Sequence, residues 1–412
     1  MLDINFIREN PDIVKNACEN KNIKVNVDRL LDLDKQKRQL LQETESLKAE
    51  QNKISRSGDK ALIEQAKEIK TKIKELEPKL EEVEKELQPL VLTLPNIPFD
   101  DVPVGKDDTQ NIIVRQVGKH PEFDFQAKDY MQVAEPLDLI DTERAGKVAG
   151  SRFGYIKGDL ALLEFALINL VLDTVKKEGF KPIIPPVMIK NQVARGTGYY
   201  EAGDESEAYY LPSDDLYLTG TSEQSLLAMH ADEVLQEKDL PIRYVGFSTC
   251  FRREAGSYGK DTKGILRVHQ FDKLEMFIYS TSEQSRQEHE KILAIEEKLM
   301  KDLDLPYQVL NICTGDLGRP AAKKYDIETW LPSEQKYRET HSSSNCTDFQ
   351  ARRLNIRYKD KENKMQFCHT LNGTAFAIGR ILIMIIENYQ QKDGSIKVPE
   401  VLQKYCGVKV IK

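Results

Sequence analysis

The chain has 412 residues, enough for two or three domains, and its 40% hydrophobic and 31% charged residues describe a globular protein with a strongly polar accessory part. No apolar run approaches the ~20 residues of a membrane helix, and the start, Met1-Leu2-Asp3-Ile4-Asn5-Phe6, has neither the basic nor the apolar region of a secretory leader, so a cytoplasmic location is expected. A net charge of −7 argues against nucleic-acid binding only where charge is evenly spread, and here it is segregated.

Residues 27–92 differ in composition from everything after them. Leu33, Leu40, Leu47 and Ile54 recur every seventh residue. After a break at Ser55-Arg56-Ser57-Gly58-Asp59, apolar residues return at Leu62, Ala66, Ile69, Ile73, Leu76, Leu80, Val83 and Leu87. The two stripes predict an antiparallel helical hairpin over 27–92, each helix of ~28 residues extending ~40 Å. Pro78 should kink or locally break the returning helix. From Lys48 to Lys74 eight basic residues (Lys48, Lys53, Arg56, Lys60, Lys67, Lys70, Lys72, Lys74) face four acidic ones, whereas Glu75 to Glu86 holds six glutamates. A solvated coiled coil with random charge would read this way. So would a probe for phosphate backbone whose acidic base keeps nucleic acid at the far end.

Pro95, Pro98 and Pro103 then stiffen a linker, which ends a first domain at residues 1–106 and leaves 107–412 as the second. The second domain reads as α+β with a mainly antiparallel sheet. Helix periodicity covers Asp159–Lys176 and Ser282–Leu303, and strand patterns cover 216–218, 244–250, 273–279 and 307–313. No GxGxxG, GxxxxGK[ST] or internal repeat occurs. The six cysteines (Cys18, Cys250, Cys313, Cys346, Cys368, Cys406) are scattered without a CxxC pair, which argues for reduced thiols. Cys346, Cys368 and His369 lack the paired spacing of a zinc site, and no zinc is expected.

Phe251-Arg252-Arg253-Glu254 precedes a turn composition, Ala255 to Asp261, and then Arg267-Val268-His269-Gln270-Phe271 and Glu275. Two strands flanking that loop could place a guanidinium on a phosphate, a ring on a base and a carboxylate on an ammonium. The segment resembles motif 2 of the class II aminoacyl-tRNA synthetases, in the form used by the seryl-tRNA synthetase family. Further segments resemble the same family in the same order. Gly179-Phe180-Lys181-Pro182-Ile183-Ile184-Pro185-Pro186 is compatible with the end of motif 1, and Thr219-Gly220-Thr221-Ser222-Glu223 with the Thr-x-Glu loop. Tyr337 to Arg353 looks like the metal and ATP segment, and Leu371 to Arg380 like motif 3. With the helical arm, the resemblance to the bacterial form covers nearly the whole chain.

The resemblance implies a homodimeric serine–tRNA ligase: a helical-hairpin arm on a class II catalytic domain, using L-serine, ATP, Mg²⁺, tRNA(Ser) and also tRNA(Sec). The catalytic residues would be Arg252 and Arg380, the first on the α-phosphate and substrate carboxylate, the second on the γ-phosphate; arginine's always-charged planar fork suits both. ATP would further meet Arg253, Glu254, Val268, Phe271, Glu339, Thr340, His341 and Ser342, with Phe271 stacked on adenine. Glu339 and Ser342 would hold Mg²⁺, which takes only one or two protein oxygens beside phosphate and water. Serine would lie among Thr221, Ser222, Glu223, Glu275 and Thr374, and the basic residues of the arm would meet tRNA. Taken alone, Phe271 reads as core and Glu339 as a solvated carboxylate. His341 reads as structural beside the metal, and His269 as structural because no histidine proton transfer is required. Thr340-His341 stands where the family more often has an aliphatic residue and a serine, and Ala375-Phe376 where it has glycine and leucine. Relatives that load carrier proteins lack the arm. A degenerate RNA-binding paralogue should have lost Arg252, Glu254, Glu275, Glu339 or Arg380, and a coiled-coil scaffold would not need the body.

Overall fold

The computed structural model describes residues 1–57, 62–199, 207–255 and 263–412. The chain forms two compact units, Met1–Ile97 and Pro98–Lys412.

The first unit is helical. Two short helices, α1 (Ile4–Glu9) and α2 (Pro11–Asn20), precede two long ones, α3 (Val27–Ser57) and α4 (Ile63–Thr93). Asp3 starts α1 by accepting from the Asn5 and Phe6 amides, and Pro11 opens α2 where a missing N–H costs nothing. The apolar stripes face each other, with Leu33, Ile69, Ile73, Leu76 and Leu87 buried. Arg29–Glu86 and Lys37–Glu84 at 2.8 Å and Lys48–Glu77 at 3.1 Å cross from helix to helix in antiparallel order. Half-exposed pairs contribute about 0–1 kcal/mol each, so the stripe, not the charges, holds the hairpin. Two details differ from the sequence reading. Ser55 to Ser57 still belong to α3, and α4 runs without a break through Pro78 and also through Pro89. A proline forfeits one backbone bond, and burial of Ile73, Leu76 and Leu87 on either side keeps the helix continuous.

The second unit is built on an eight-stranded sheet. Its strands are β1 (Ile112–Val117), β2 (Lys181–Ile183), β3 (Ile242–Phe251), β4 (Gln270–Ser280), β5 (Tyr307–Asn311), β6 (Lys323–Leu331), β7 (Lys336–Asn345) and β8 (His369–Ala377). Across the sheet they run β1-β5-β6-β7-β8-β4-β3-β2. Every pairing is antiparallel except β2 with β3. β3 and β4 form the expected hairpin, paired from Phe251↔Gln270 to Ile242↔Tyr279; most of its turn, residues 256–262, lies outside the described residues. Three helices supply the core: α5 (Gly158–Lys177), α6 (Ser285–Asp302) and α7 (Ile378–Asn388). Leu163, Leu167, Ile292, Leu299, Ile381 and Ile385 from these helices bury one cluster with Leu274, Met276 and Ile278 of β4. Period-2 alternation then turns Phe271, Lys273 and Glu275 to the opposite face of that strand.

The helix α6 approaches β8 closely at Gly373. A Cβ there would collide with Ile292 Cγ2 and stand 2.8 Å from Glu296 Oε1. Gly373→Ala is expected to cost about 1–3 kcal/mol by overpacking, read as a lower denaturation midpoint. An unchanged midpoint would mean that α6 can move aside.

Candidate active site

A cavity of 570 Å³ opens on the face of the sheet that carries Phe271, Lys273 and Glu275. Arg252 enters it from the end of β3. Its backbone N–H donates to His269 O at 3.0 Å, and His269 Nδ1 donates back to Arg252 O at 3.0 Å. Its Nε donates to Gly220 O at 3.1 Å, and its guanidinium lies 5.3 Å from the centroid of the Phe271 ring. Arg252 is thus fixed from both strands of the hairpin and from the Thr219–Glu223 loop. Its charge favours ionisation of two separate carboxylates, Glu275 and Glu339.

One part of the cavity is a buried acidic pocket made by Thr221, Glu223, Glu275 and Thr374. Glu223 accepts from Gln350 Nε2 at 2.9 Å and from the Tyr199 hydroxyl at 3.0 Å. Burial, with repulsion from Glu275, pushes the Glu223 carboxyl up to about 7, against the pull of Gln350, Lys273 and Tyr199. Burial also raises Glu275, which Lys273, Arg252 and Thr374 oppose; Lys273 Nζ stands 2.6 Å from its carboxylate.

The other part carries Glu254, Val268, Phe271, Glu339, Thr340, Ser342 and Arg380. Glu254 pairs with Arg267 at 2.8 Å and has a left-handed backbone, φ 52°. For a non-glycine residue that costs about 1–2 kcal/mol, and here it accompanies a side chain that lines the cavity. Arg380, in the first turn of α7, donates to Glu339 O at 2.7 Å and pairs with its carboxylate at 3.3 Å. The Glu339 side chain is partly exposed; the crowding of its carboxyl opposes ionisation, but Arg380, Lys324 and Arg252 together hold it below the ordinary carboxylate range.

Two β-bulges aim these side chains. Opposite β6, the register of β7 skips Thr340, so Glu339 and Ser342, three residues apart, both reach the cavity. A regular strand would put them on opposite faces. Opposite β4, the register of β8 skips Ala375, and Thr374 and Ala377 likewise both line the cavity. The atypical pairs Thr340-His341 and Ala375-Phe376 are therefore the bulge residues and their neighbours. They also meet: the His341 and Phe376 rings pack edge to face at 5.7 Å, and burial drives the His341 imidazole down to about 3.

Three of the expected site residues stand off the cavity wall. His341 is turned into that aromatic contact, Ser222 is buried with its hydroxyl on Gly246 O at 3.2 Å, and Arg253 lies over the Tyr209 ring at 5.6 Å. Each neighbours a lining residue in sequence and points elsewhere because successive side chains diverge. Lys273, Lys324, Tyr199 and Asn372 line the cavity unforeseen. Only Lys273 was readable, two residues from Glu275 on one strand. Among the described residues no three His, Cys, Asp or Glu side chains form a metal-holding group. In the helical unit Lys48, Lys53, Arg56, Lys67, Lys70, Lys72 and Lys74 are exposed, and Lys60 lies outside the described residues.

Known proteins match both units. The profile of the seryl-tRNA synthetase N-terminal domain matches residues 1–98, and that of the class II synthetase core domain (G, H, P, S and T) matches residues 209–389. The serine–tRNA ligase of Thermobifida fusca is 45% identical, covering 100% of this chain and 99% of its own; that of Dictyoglomus thermophilum is 47% identical with the same coverage. The chain belongs to the seryl-tRNA synthetase family. As a member it is an aminoacyl-tRNA ligase. The crystal structure of seryl-tRNA synthetase from Pyrococcus horikoshii complexed with ATP superposes with a TM-score of 0.94 at 43% identity, covering 100% of this chain and 99% of that one. The cytoplasmic serine–tRNA ligase of Naegleria fowleri in complex with AMP gives 0.91 at 36% identity with the same coverage. No described helix is long and apolar enough to cross a membrane.

The buried acid of this synthetase site has a stability cost with a definite sign. Glu223 sits near 7 in the fold against an ordinary 4.5, so the folded state keeps a proton that the unfolded state has released. Stability should therefore fall as pH rises through that window. Glu223→Gln should be more stable than wild type at pH 8, on the order of 1–3 kcal/mol, with the gain shrinking toward pH 5 in denaturant unfolding. A gain independent of pH would point to packing instead.

Proposed function

We propose that the protein activates L-serine with ATP to seryl-adenylate and pyrophosphate, and then transfers serine to the 3′ end of tRNA(Ser), and of tRNA(Sec) where the host has one. The observation that carries this reading is Arg252 standing between an acidic pocket and a cavity wall with an aromatic ring, a carboxylate and a second arginine. The names of the relatives, and the ATP in the Pyrococcus horikoshii complex, support the substrates.

On this reading the serine ammonium meets Thr221, Glu223 and Glu275, its hydroxyl meets Thr374 and Glu275, adenine stacks on Phe271, and Glu254 accepts from the adenine amino group. Arg252 binds the serine carboxylate and the α-phosphate together. That offsets the repulsion of two anions and stabilises the charge that grows on the phosphate oxygens. A carboxylate oxygen then bonds to the α-phosphorus while the bond from phosphorus to the bridging oxygen breaks, and pyrophosphate leaves. Arg380 steadies the departing phosphates. In the second step a ribose hydroxyl of tRNA attacks the acyl carbon, AMP leaves, and the hydroxyl proton passes to a phosphate oxygen. His269 has no part in this; it is engaged with the Arg252 carbonyl.

Mg²⁺ fits the pair Glu339 and Ser342. They offer one carboxylate and one hydroxyl on the same face, the sparse protein share usual for a cation bound mainly through phosphate and water. When bound it would neutralise phosphate charge. On this reading the reaction takes place in the cytoplasm. The protein acts as a homodimer: on α5 and beyond β2 the apolar Phe165 and Ile184 are 62% and 86% exposed in the single chain, as a face covered by a second copy would be.

Arg252→Ala should lower serine-dependent pyrophosphate exchange ~10²–10³-fold, the scale of one lost transition-state charge contact. Exchange at the wild-type rate in a folded variant rules the reading out. Deleting residues 35–80 and closing the gap with a short turn should spare pyrophosphate exchange but cut tRNA aminoacylation by orders of magnitude, because several phosphate contacts vanish together. Normal charging would make the arm a solvated coiled coil. Light scattering should give twice the 47.2 kDa of the chain, and a monomer mass at micromolar concentration would contradict the dimer.

A further inference from the structure

Lys273 is a cation sunk in the acidic pocket. It is 8% exposed on β4, where Phe271 and Glu275 share its face. Its Nζ lies 2.6 Å from the Glu275 carboxylate and 3.4 Å from Thr221 Oγ1, to which it donates. Across the pairing with β3, Glu275 faces Gly246 and Lys273 faces Ser248, so the neighbouring strand adds no bulky or charged side chain beside them. Lysine is seldom buried, and a buried ion pair is weak evidence for stability alone. Its place at the substrate end of the cavity calls for a functional account.

The charges around Lys273 can be added up. Glu275 shares its strand, and Thr221 and Glu223 approach from the loop and helix before β3. Cys250 comes from β3 and Arg252 from just beyond its end, Tyr199 from the chain before that loop, His341 from β7 and Glu296 from α6. Burial keeps Cys250 and Tyr199 protonated and His341 neutral, and it raises Glu296 well above the carboxylate range. Four groups remain to carry charge: Lys273, Arg252, Glu275 and, as pH rises past its raised value of about 7, Glu223. If Arg252 answers the anionic substrate groups, Glu223, Glu275 and Lys273 leave one net negative charge for one ammonium. Without Lys273 the two buried carboxylates would face each other unopposed, and one would keep its proton to a still higher pH.

We infer that Lys273 is a positioning residue of the amino-acid pocket, which orients Glu275 and sets the pocket at a single net negative charge so that it takes one substrate ammonium and leaves the substrate carboxylate to Arg252. This rests on the assignment of that end of the cavity to serine. Lys273 also engages one carboxylate oxygen of Glu275 and leaves the other for the substrate.

The test is serine-dependent pyrophosphate exchange by the full chain from pH 6 to 9, with KM for serine and for ATP measured separately. The variants are Lys273→Met, Lys273→Arg and Lys273→Met/Glu275→Gln. A carboxyl that gains a proton cannot hold an ammonium, so the loss is greatest at low pH. For Lys273→Met the ascending limb of kcat/KM for serine should move to higher pH by about 1–3 units, the range an ion-pair partner exerts. At neutral pH the serine KM should rise about tenfold or more while the ATP KM holds. Lys273→Arg should keep the limb near its wild-type place. The double variant, again with one net negative charge, should return the limb toward wild type although its kcat/KM is lower, and it decides the matter if Lys273→Met folds poorly. A limb unmoved in Lys273→Met, a loss equal at every pH and shared by Lys273→Arg, or a double variant displaced as far as the single would overturn the inference. A wild-type protein with no serine-dependent exchange would instead overturn the functional reading, and this inference with it.

Discussion

The position of one guanidinium organises the catalytic unit. On the proposed reading Arg252 serves two anions at once, and a flexible side chain at the end of a strand would not stay between them unaided. The fold holds it through a reciprocal bond pair with His269 on the facing strand and through the Gly220 carbonyl. The β3–β4 hairpin carries Arg252 on one strand and Phe271, Lys273 and Glu275 on the other. Pairing register therefore translates directly into the spacing between charge, ring and carboxylate. A one-residue slip would turn the whole set to the helix-covered face.

Around that arginine the site keeps local irregularities that a sheet built only for stability would avoid. Two bulges, at Thr340 and Ala375, break the β6–β7 and β8–β4 ladders, and Glu254 has a left-handed backbone. Each costs something in isolation, and each turns a side chain into the cavity. The compensation lies behind the sheet, where the cluster of α5, α6 and α7 is close-packed up to the contact at Gly373.

Much of this was legible in the sequence because the decisive residues lie close together along it. Arg252, Glu254, Phe271 and Glu275 fall within one hairpin, and the heptad stripe from Leu33 to Ile54 announces a helix whatever it packs against. What was not legible depends on direction and on distant pairing. Adjacency suggested Arg253, Ser222 and His341, but alternation and the bulge send their side chains away from the cavity. The contact of His341 with Phe376 explains two atypical pairs at once, and nothing within either segment reveals it. Pro78 looked like a break because the local cost was visible and the burial that offsets it was not. Lys273 was readable from simple alternation with Glu275, yet a lysine in a strand is ordinarily a surface residue.

The helical unit and the catalytic unit each have their own buried core, and no side chain assigned to serine, ATP or Mg²⁺ belongs to the helical unit. The account stands or falls on the cavity of the catalytic unit holding both halves of one adenylate across Arg252. The direct measurement is a crystal structure of the full chain with a non-hydrolysable seryl-sulfamoyl adenosine. The account predicts the sulfamoyl group on Arg252, the adenine on Phe271, and the serine ammonium between Glu223 and Glu275. An analogue bound with its amino-acid end away from those carboxylates, or with Arg252 turned from the sulfamoyl group, would contradict it.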